Sequence, residues 1–306
     1  MSKQIAIVGA RGFFGRYITS LFQEKHQDIV ACSQHGGEIC GIKVDAVDLT
    51  HDDELNRWIN DKDISTMIYL SSIVPKSFSE ANWQLFKKNI EMHDTILRCW
   101  NQQKFHLIYS SGCTVYGPHS PLPWTEKNFT FPDNYYPLSK LIGELLFYKE
   151  FISSQQELTI LRINAPFAFD PNRKTVINIF IENALAGKDL VLHGSGNREQ
   201  DYIYIKDIAQ AFWISYERKI PGIYNIASGQ TIAMKELAEK IISLTNSNSK
   251  IIYSGTPDPL EHEKVSIDIS KAREILGYSP KYSLNEGLMD CIKNYKKPSK
   301  ERDFCY

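Results

Sequence analysis

Gly9-Ala10-Arg11-Gly12-Phe13-Phe14-Gly15 follows the short apolar run 5–8 and leads into a stretch whose apolar positions include Ile18, Leu21 and Phe22. A strand, a glycine turn and the opening of an amphipathic helix are therefore written in the first two dozen residues. The three glycines have separate tasks. Gly9 permits a tight turn, Gly12 leaves bare backbone for the close approach of a pyrophosphate, and Gly15 lets the helix lie near the strand, its N-terminal N–H groups facing the phosphates. A glycine turn that merely packs would not need this context, so the stretch reads as a dinucleotide-binding loop, with Phe13 and Phe14 among its contacts.

Outward from the loop, short runs rich in Ile, Val and Leu alternate with longer amphipathic stretches up to about residue 163, the pattern of βα units around a parallel sheet. Strands are expected at 5–8, 29–32, 42–47, 66–70, 105–110 and 158–163, and the fold class is α/β with a doubly wound sheet. Two helices between them are long, at about 81–102 and 136–151, the second after the breaker-rich stretch 118–133. From about Ala165 the chain changes to Gly- and Pro-punctuated short elements, which predicts a smaller lobe. The expected division is 1–164 for cofactor and 165–306 mainly for substrate, with some later segments returning to the first part.

Composition narrows the function. With 35 Lys+Arg against 36 Asp+Glu the formal charge of the 306 residues is -1, which leaves no basic excess for a nucleic acid or an anionic membrane. No apolar run approaches the roughly 20 residues of a membrane span. Residues 5–8 are too short for a signal-peptide core, and a cytoplasmic location is expected. The six cysteines show no paired spacing and are read as reduced thiols; the histidines show no metal-ligand spacing, so no metal is expected.

Cofactor choice is read at the end of the second strand, Ala31-Cys32-Ser33-Gln34-His35. An NAD-preferring site places Asp or Glu there for the ribose 2′-hydroxyl. Here no carboxylate repels a 2′-phosphate, Ser33 can donate a hydrogen bond, and Arg11 and His35 bring positive charge, so NADP is favoured over NAD. Asp48, ahead of Leu49, is placed to touch adenine or to cap the following helix.

Tyr136-Pro137-Leu138-Ser139-Lys140 sets a phenol and an ammonium four residues apart, on one face of a helix. Ionising a phenol near neutral pH costs about 4 kcal/mol, which Lys140 and a nicotinamide cation could supply; the phenolate then exchanges the proton of a carbinol while hydride moves to or from the cofactor. Tyr135, with Ser139 four positions on, is the poorer base.

Together these features resemble the extended short-chain dehydrogenase/reductase family, the branch of NAD(P)-dependent nucleotide-sugar epimerases, dehydratases and reductases. The resemblance extends through Tyr69-Leu70-Ser71-Ser72, Asn89, Ser110-Ser111-Gly112-Cys113-Thr114-Val115-Tyr116-Gly117, Leu161-Arg162-Ile163-Asn164-Ala165-Pro166, Asp201 to Asp207, Tyr224 to Gly229 and Asp268 to Ala272. It implies a Rossmann-type cofactor domain contacted at Leu70, Ser71, Ser72 and Asn89 as well as at the loop, Ser33, Asp48, Leu49, Tyr136 and Lys140. It implies a nucleotide-sugar substrate in the second lobe and a homodimer through the two long helices.

The departures matter more. The family's catalytic Ser or Thr falls on Gly112 here. Thr114 is the expected replacement beside Ser111, while Cys113 is weighed as a proton donor and preferred as a small buried residue. Dehydratases carry Asp-Glu where this chain has Cys113-Thr114, so dehydration is not expected. The family's phosphate-gripping arginines are reduced to Arg198 and Lys264, the latter only a point charge, with Arg173 and Lys174 as further candidates, and Asn164 is expected among the substrate contacts. The expected chemistry is hydride transfer at C4 of a nucleotide-activated hexose, a 4-keto(-6-deoxy) sugar reductase ahead of a 4-epimerase. A non-catalytic dinucleotide sensor would not need Tyr136 and Lys140.

Overall fold

The computed structural model describes residues 3–51, 53–75, 80–154, 156–258, 260–261 and 264–298. The first part runs β1 (Gln4–Val8), α1 (Phe13–Glu24), β2 (Ile29–Ser33), β3 (Gly37–Ile39), β4 (Ile42–Ala46), α2 (Glu54–Ile59), β5 (Ile64–Tyr69), α3 (Trp83–Gln103), β6 (His106–Gly112), α4 (Tyr135–Ser154) and β7 (Leu158–Ile163). The second continues with β8 (Pro166–Phe167), α5 (Val176–Leu185), β9 (Leu190–Leu192), β10 (Glu199–Gln200), β11 (Ile203–Tyr204), α6 (Ile205–Arg218), β12 (Gly222–Ile226), β13 (Ile232–Ala233), α7 (Met234–Thr245), β14 (Ile251–Tyr253) and α8 (Leu284–Lys296).

An eight-stranded sheet in the order β12-β7-β6-β5-β1-β2-β4-β3 forms the centre, parallel except for the β3–β4 hairpin. Chain order reverses between β1 and β5, so a crevice opens outside their carboxyl ends, where α/β sheets bind ligands. Both faces are covered, which is why the strands read as nearly continuous apolar runs. Ile5, Ile7, Ile68, Ile108 and Leu161 face a core shared with α1, α5 and α6. Ala6, Val8, Met67, Tyr69, Leu107, Tyr109 and Ile160 face the layer made by α2, α3 and α4. The remaining strands pair in three small two-stranded sheets, β10-β13, β11-β8 and β14-β9.

Two segments from beyond residue 164 rejoin the first part. β12 pairs with β7 in register from Gly222↔Thr159 to Ile226↔Ile163. α6 lies on α1, with Trp213 and Tyr216 packed on Phe22 at ring separations of 5.1 and 5.4 Å. Cys32, Cys99, Cys113 and Cys291 are buried free thiols. Cys40 is disulfide-bonded, which corrects the expectation of reduced thiols throughout: spacing along the chain does not report which sulfurs meet in space. No helix among the described residues is long and apolar enough to cross a membrane.

Candidate active site

The glycine loop has the geometry of an anion cradle. Gly9 turns with φ +94°, and a side chain on it would bring a Cβ to 2.8 Å from both the N and Oγ of Ser71. Gly15 is equally constrained, since its Cβ would fall 2.3 Å from Gly9 O. At Gly12 the only near neighbour of such a Cβ is Gly9 O, at 3.1 Å, so the backbone there is open. Gly12 is also the N-cap of the 12-residue α1, with no side-chain cap and no acidic residue in the first turn. The first N–H groups of the helix, at the positive end of its dipole, thus have no side chain to cap them, the donor set that a pyrophosphate needs. The residues present fit a dinucleotide.

At the expected adenosine end, Ser33 Oγ accepts from Arg11 N–H at 2.9 Å, fixing the loop against β2. The Arg11 guanidinium donates to the carbonyls of His35 (3.3 Å) and Gly36 (2.6 Å), lying over the turn that leaves β2. Asp48 accepts from Thr50 N–H and Oγ–H at 2.9 and 2.8 Å, and Gln34 Nε2 reaches it at 3.5 Å. Its carboxylate therefore holds the turn after β4 together, while buried Leu49 lends its carbonyl to Thr95 Oγ1 at 2.8 Å. Leu70 continues β5 beside β1, its N–H donating to Val8 O at 2.9 Å.

Tyr136 and Lys140 occupy the first two turns of α4, as the helical spacing predicts. Lys140 is buried; its Nζ donates to Ser110 O at 2.8 Å and lies 5.2 Å from the Tyr109 ring centroid. Burial pushes its pKa down to about 7, opposed by the negative charge of Glu144. Burial raises the Tyr136 pKa, opposed by a hydrogen bond from Ser72 and by the positive charge of Arg173. The Arg173 guanidinium stacks 4.1 Å from the Phe13 ring centroid. Arg173, a candidate phosphate ligand from sequence, thus brings the segment after β8 onto the glycine loop, beside an Arg16–Asp170 ion pair of 2.9 Å.

Behind this pair lies a buried ionic support. Glu144 takes Arg162 by Nε at 3.0 and 3.2 Å and by Nη2 at 2.6 Å, and also accepts from Ser111 Oγ. Arg162 stacks on Tyr116 at 4.8 Å. Ser111, expected to meet substrate, is thus occupied by Glu144. Cys113 is fully buried with Sγ donating to Arg162 O at 3.2 Å, a small core residue out of contact with solvent. Thr114 is exposed, and its Oγ1 lies 3.5 Å from where a Cβ on Gly112 would sit, so the neighbouring hydroxyl borders the space beside Gly112. Asn164 is buried at the end of β7 and gives its amide to Gln200 Oε1 (3.3 Å) and Asp201 O (2.8 Å). Arg198 pairs with Asp258 at 3.4 Å and Lys264 with Glu199 at 3.1 Å, so both candidate phosphate ligands are engaged by carboxylates. Among the described residues no group of three or more His, Cys, Asp or Glu side chains could hold a metal ion.

Sequence reasoning did not single out Glu144. Its signal was a carboxylate one helical turn beyond Lys140, at the same i,i+4 spacing that linked Lys140 to Tyr136.

A doubly wound sheet, a glycine loop at its switch point and a Tyr/Lys pair one crevice away define a class of hydride-transferring, dinucleotide-dependent enzymes. The model of the NAD dependent epimerase/dehydratase family matches residues 5–227, and the chain belongs to that family as an enzyme of its NAD(P)-dependent type. Among its relatives are a putative UDP-glucose 4-epimerase of Methanocaldococcus jannaschii, 29% identical over 93% of this chain and 95% of that protein, and a dTDP-4-dehydro-6-deoxyglucose reductase of Escherichia coli, 30% identical over 79% and 78%. A solved structure of UDP-glucose 4-epimerase from Thermotoga maritima has the same fold, with a TM-score of 0.87 at 21% identity over 96% of this chain and 98% of that one.

Proposed function

We propose that the protein is an NADP-dependent oxidoreductase acting at C4 of a nucleotide-activated hexose, working as a 4-keto-6-deoxy sugar reductase. The observation that carries this reading is the Tyr136/Lys140 pair beside a cofactor loop whose β2 terminus holds Ser33 and Arg11 and no carboxylate. A 2′-phosphate brought to that end would meet a serine hydroxyl and a guanidinium able to exchange two carbonyls for it. The Escherichia coli relative named as a reductase supports the reaction class.

When bound, the reduced nicotinamide supplies hydride to C4 and leaves oxidised. Tyr136 gives its phenolic proton to the C4 oxygen as the C–H bond forms, so that ketone, hydride and proton balance as a secondary alcohol. The buried Lys140 ammonium stabilises the phenolate left behind until solvent returns the proton. Thr114 Oγ1, beside the bare Gly112, holds the C4 oxygen. Cys113-Thr114 offers no acid and base pair for elimination, which disfavours dehydration.

Substrate sits between the cofactor part, 1–164 with α6 and β12 returning to it, and the smaller lobe. The positive charge of Arg173 acts on the phenol of Tyr136, and Arg198 and Lys264 reach the diphosphate by exchanging their carboxylate partners. A homodimer through α3 and α4 is supported by the exposed Trp83, Tyr135, Leu145, Tyr148 and Ile152 on those two helices.

The epimerase reading rests on the relative named for that activity. The test is to identify, by mass spectrometry and absorbance on unfolded protein, any nucleotide retained through purification. An empty site that binds NADPH far more tightly than NADH is expected; tightly held NAD would replace the reductase by an epimerase that regenerates its cofactor in place.

A further inference from the structure

A lysine buried beside a phenol sheds its proton readily unless something favours the charge. Lys140 Nζ donates to Ser110 O at 2.8 Å, while Glu144, whose charge favours the ammonium, is held by Arg162 at 2.6 Å. An aromatic face also lies beside Nζ: the ring of Tyr109, on β6, has its centroid 5.2 Å away. The same side chain meets Lys140 at its other end, since the Tyr109 hydroxyl donates to the Lys140 main-chain carbonyl at 3.3 Å.

A chain of buried groups orders that hydroxyl. Tyr69, His93 and Tyr109 are each 0% exposed. His93, on α3, has Nε2 at 3.1 Å from Ser139 O and Nδ1 at 2.8 Å from Tyr69 Oη. A carbonyl oxygen only accepts, so the His93 proton is assigned to Nε2, and Nδ1 accepts from the Tyr69 hydroxyl. Nε2 also lies 3.5 Å from the Tyr109 oxygen, which leaves the Tyr109 hydrogen for Lys140 O. His93 and Tyr109 thus load the neighbouring carbonyls of Ser139 and Lys140 on α4. Position 143 admits them because it is glycine: a Cβ there would fall 2.6 Å from Tyr109 Oη and 3.0 Å from His93 Nε2. Four residues before His93 on α3, Asn89 reaches Ser139 Oγ at 3.3 Å and accepts from Ser72 Oγ at 3.5 Å, so the turn between Tyr136 and Lys140 is held from α3 at two points.

The titratable groups facing Tyr109 and Lys140 are Tyr69 from β5, stacked on Tyr109 at 5.4 Å, His93 from α3, and Tyr136 and Glu144 from α4, with Arg162 of β7 behind Glu144. Burial holds His93 neutral, down to about 3, and raises both strand phenols, so the ring and hydroxyl of Tyr109 keep one state while Lys140 and Tyr136 titrate.

We propose that Tyr109 is a positioning residue for Lys140: its ring stabilises the ammonium, and its hydroxyl, ordered by His93, fixes the helix turn that carries the lysine. The proton then stays on Lys140 to higher pH than burial alone would allow. No proton passes through Tyr109 or His93.

The inference rests on Tyr136 and Lys140 acting as the proton-handling pair, and the test keeps the two apart. Tyr109→Phe keeps the ring and removes the hydroxyl. Pentafluorophenylalanine introduced at position 109 by nonsense suppression keeps that shape and reverses the charge distribution of the ring face. Both would be compared with the wild-type protein and with Tyr136→Phe in NADPH-dependent reduction of a nucleoside diphosphate 4-keto-6-deoxyhexose over pH 5–10, with NADPH affinity measured by fluorescence titration. The fluorinated ring is expected to move the alkaline limb of kcat/KM down by about one pH unit relative to Tyr109→Phe, because the ammonium then loses its proton earlier. Tyr109→Phe itself should lower kcat about 2- to 10-fold, the worth of a neutral hydrogen bond, with NADPH affinity within about twofold. An alkaline limb that is unmoved or higher with the fluorinated ring, or a loss confined to NADPH affinity, overturns the role given to the ring. An undiminished kcat in Tyr109→Phe overturns the role given to its hydroxyl. A fully active Tyr136→Phe overturns the reading of the acid instead.

Discussion

Removing the charge of Glu144 tests whether the active-site floor is held ionically. Glu144 and Arg162 side chains are 3% and 6% exposed, and the pair is joined through Nε and through an Nη2 contact of 2.6 Å. Glu144→Gln keeps the shape but leaves a buried guanidinium without a counter-charge, a loss of about 3–5 kcal/mol for buried pairs. The Tyr116 ring at 4.8 Å from the guanidinium contributes about 2 kcal/mol and carries no counter-charge to replace the carboxylate. Replacing both partners by Met removes the unpaired charge too, so the Glu144→Met/Arg162→Met double variant should cost less than the single variants Glu144→Met and Arg162→Met together, with a coupling of at least about 2 kcal/mol. Urea unfolding followed by circular dichroism measures all four variants. A Glu144→Gln cost below about 1 kcal/mol, or strict additivity in the double variant, would refute the argument. The sign on chemistry is also fixed: Glu144 raises the Lys140 pKa toward its value of about 7, so its loss lowers that pKa further and the ammonium is lost at lower pH.

Two further outcomes follow from the same geometry. Gly9→Ala, at φ +94° with Ser71 only 2.8 Å from the new Cβ, should cost about 1–3 kcal/mol and weaken dinucleotide binding, whereas Gly112→Ala should stay within about 0.5 kcal/mol; equal effects in thermal melts would contradict the close packing at the loop. His93 and His106 are pushed down to about 3 by burial and stay neutral in the folded chain. Below pH 6.5 the unfolded chain binds protons that the native one refuses, so each histidine removes about 1.4 kcal/mol per pH unit as pH falls from 6.5 toward 3. Chemical denaturation at stepped pH should show a shallower decline for His93→Gln, and an unchanged slope would count against a neutral buried His93.

The strands of the parallel sheet were legible because both faces are buried, which makes each strand an apolar run, and α4 because the Tyr136/Lys140 spacing implied a helix. The β3–β4 hairpin escaped notice because Gly37-Glu38-Ile39 is too short and too glycine-bound to show alternation, and its turn at Cys40-Gly41 uses positive φ at both residues. β12 lies in the first sheet although it follows the second lobe's first elements, since strand pairing is non-local. At the site, the glycine turn and the helical placement of Tyr136 and Lys140 were readable from spacing. The partners were not: Arg162 reaches Glu144 from β7, and Asn89 reaches Ser72 and Ser139 from α3, contacts with no periodic trace. Ser33 was read as a cofactor contact; its oxygen also accepts from Arg11 N–H, which leaves the hydroxyl hydrogen to donate, a second task that a one-residue reading does not show.

The central claim is that Tyr136 protonates a C4 oxygen while hydride arrives from NADPH. It is tested by supplying NADPH deuterated at the transferable C4 position with a nucleoside diphosphate 4-keto-6-deoxyhexose, and following the sugar by NMR in wild type and Tyr136→Phe. The account predicts deuterium at C4 of the reduced sugar in wild type and a rate at least about 100-fold lower in Tyr136→Phe, the usual worth of a positioned acid. Label elsewhere in the sugar, or an undiminished rate without the phenol, would contradict it.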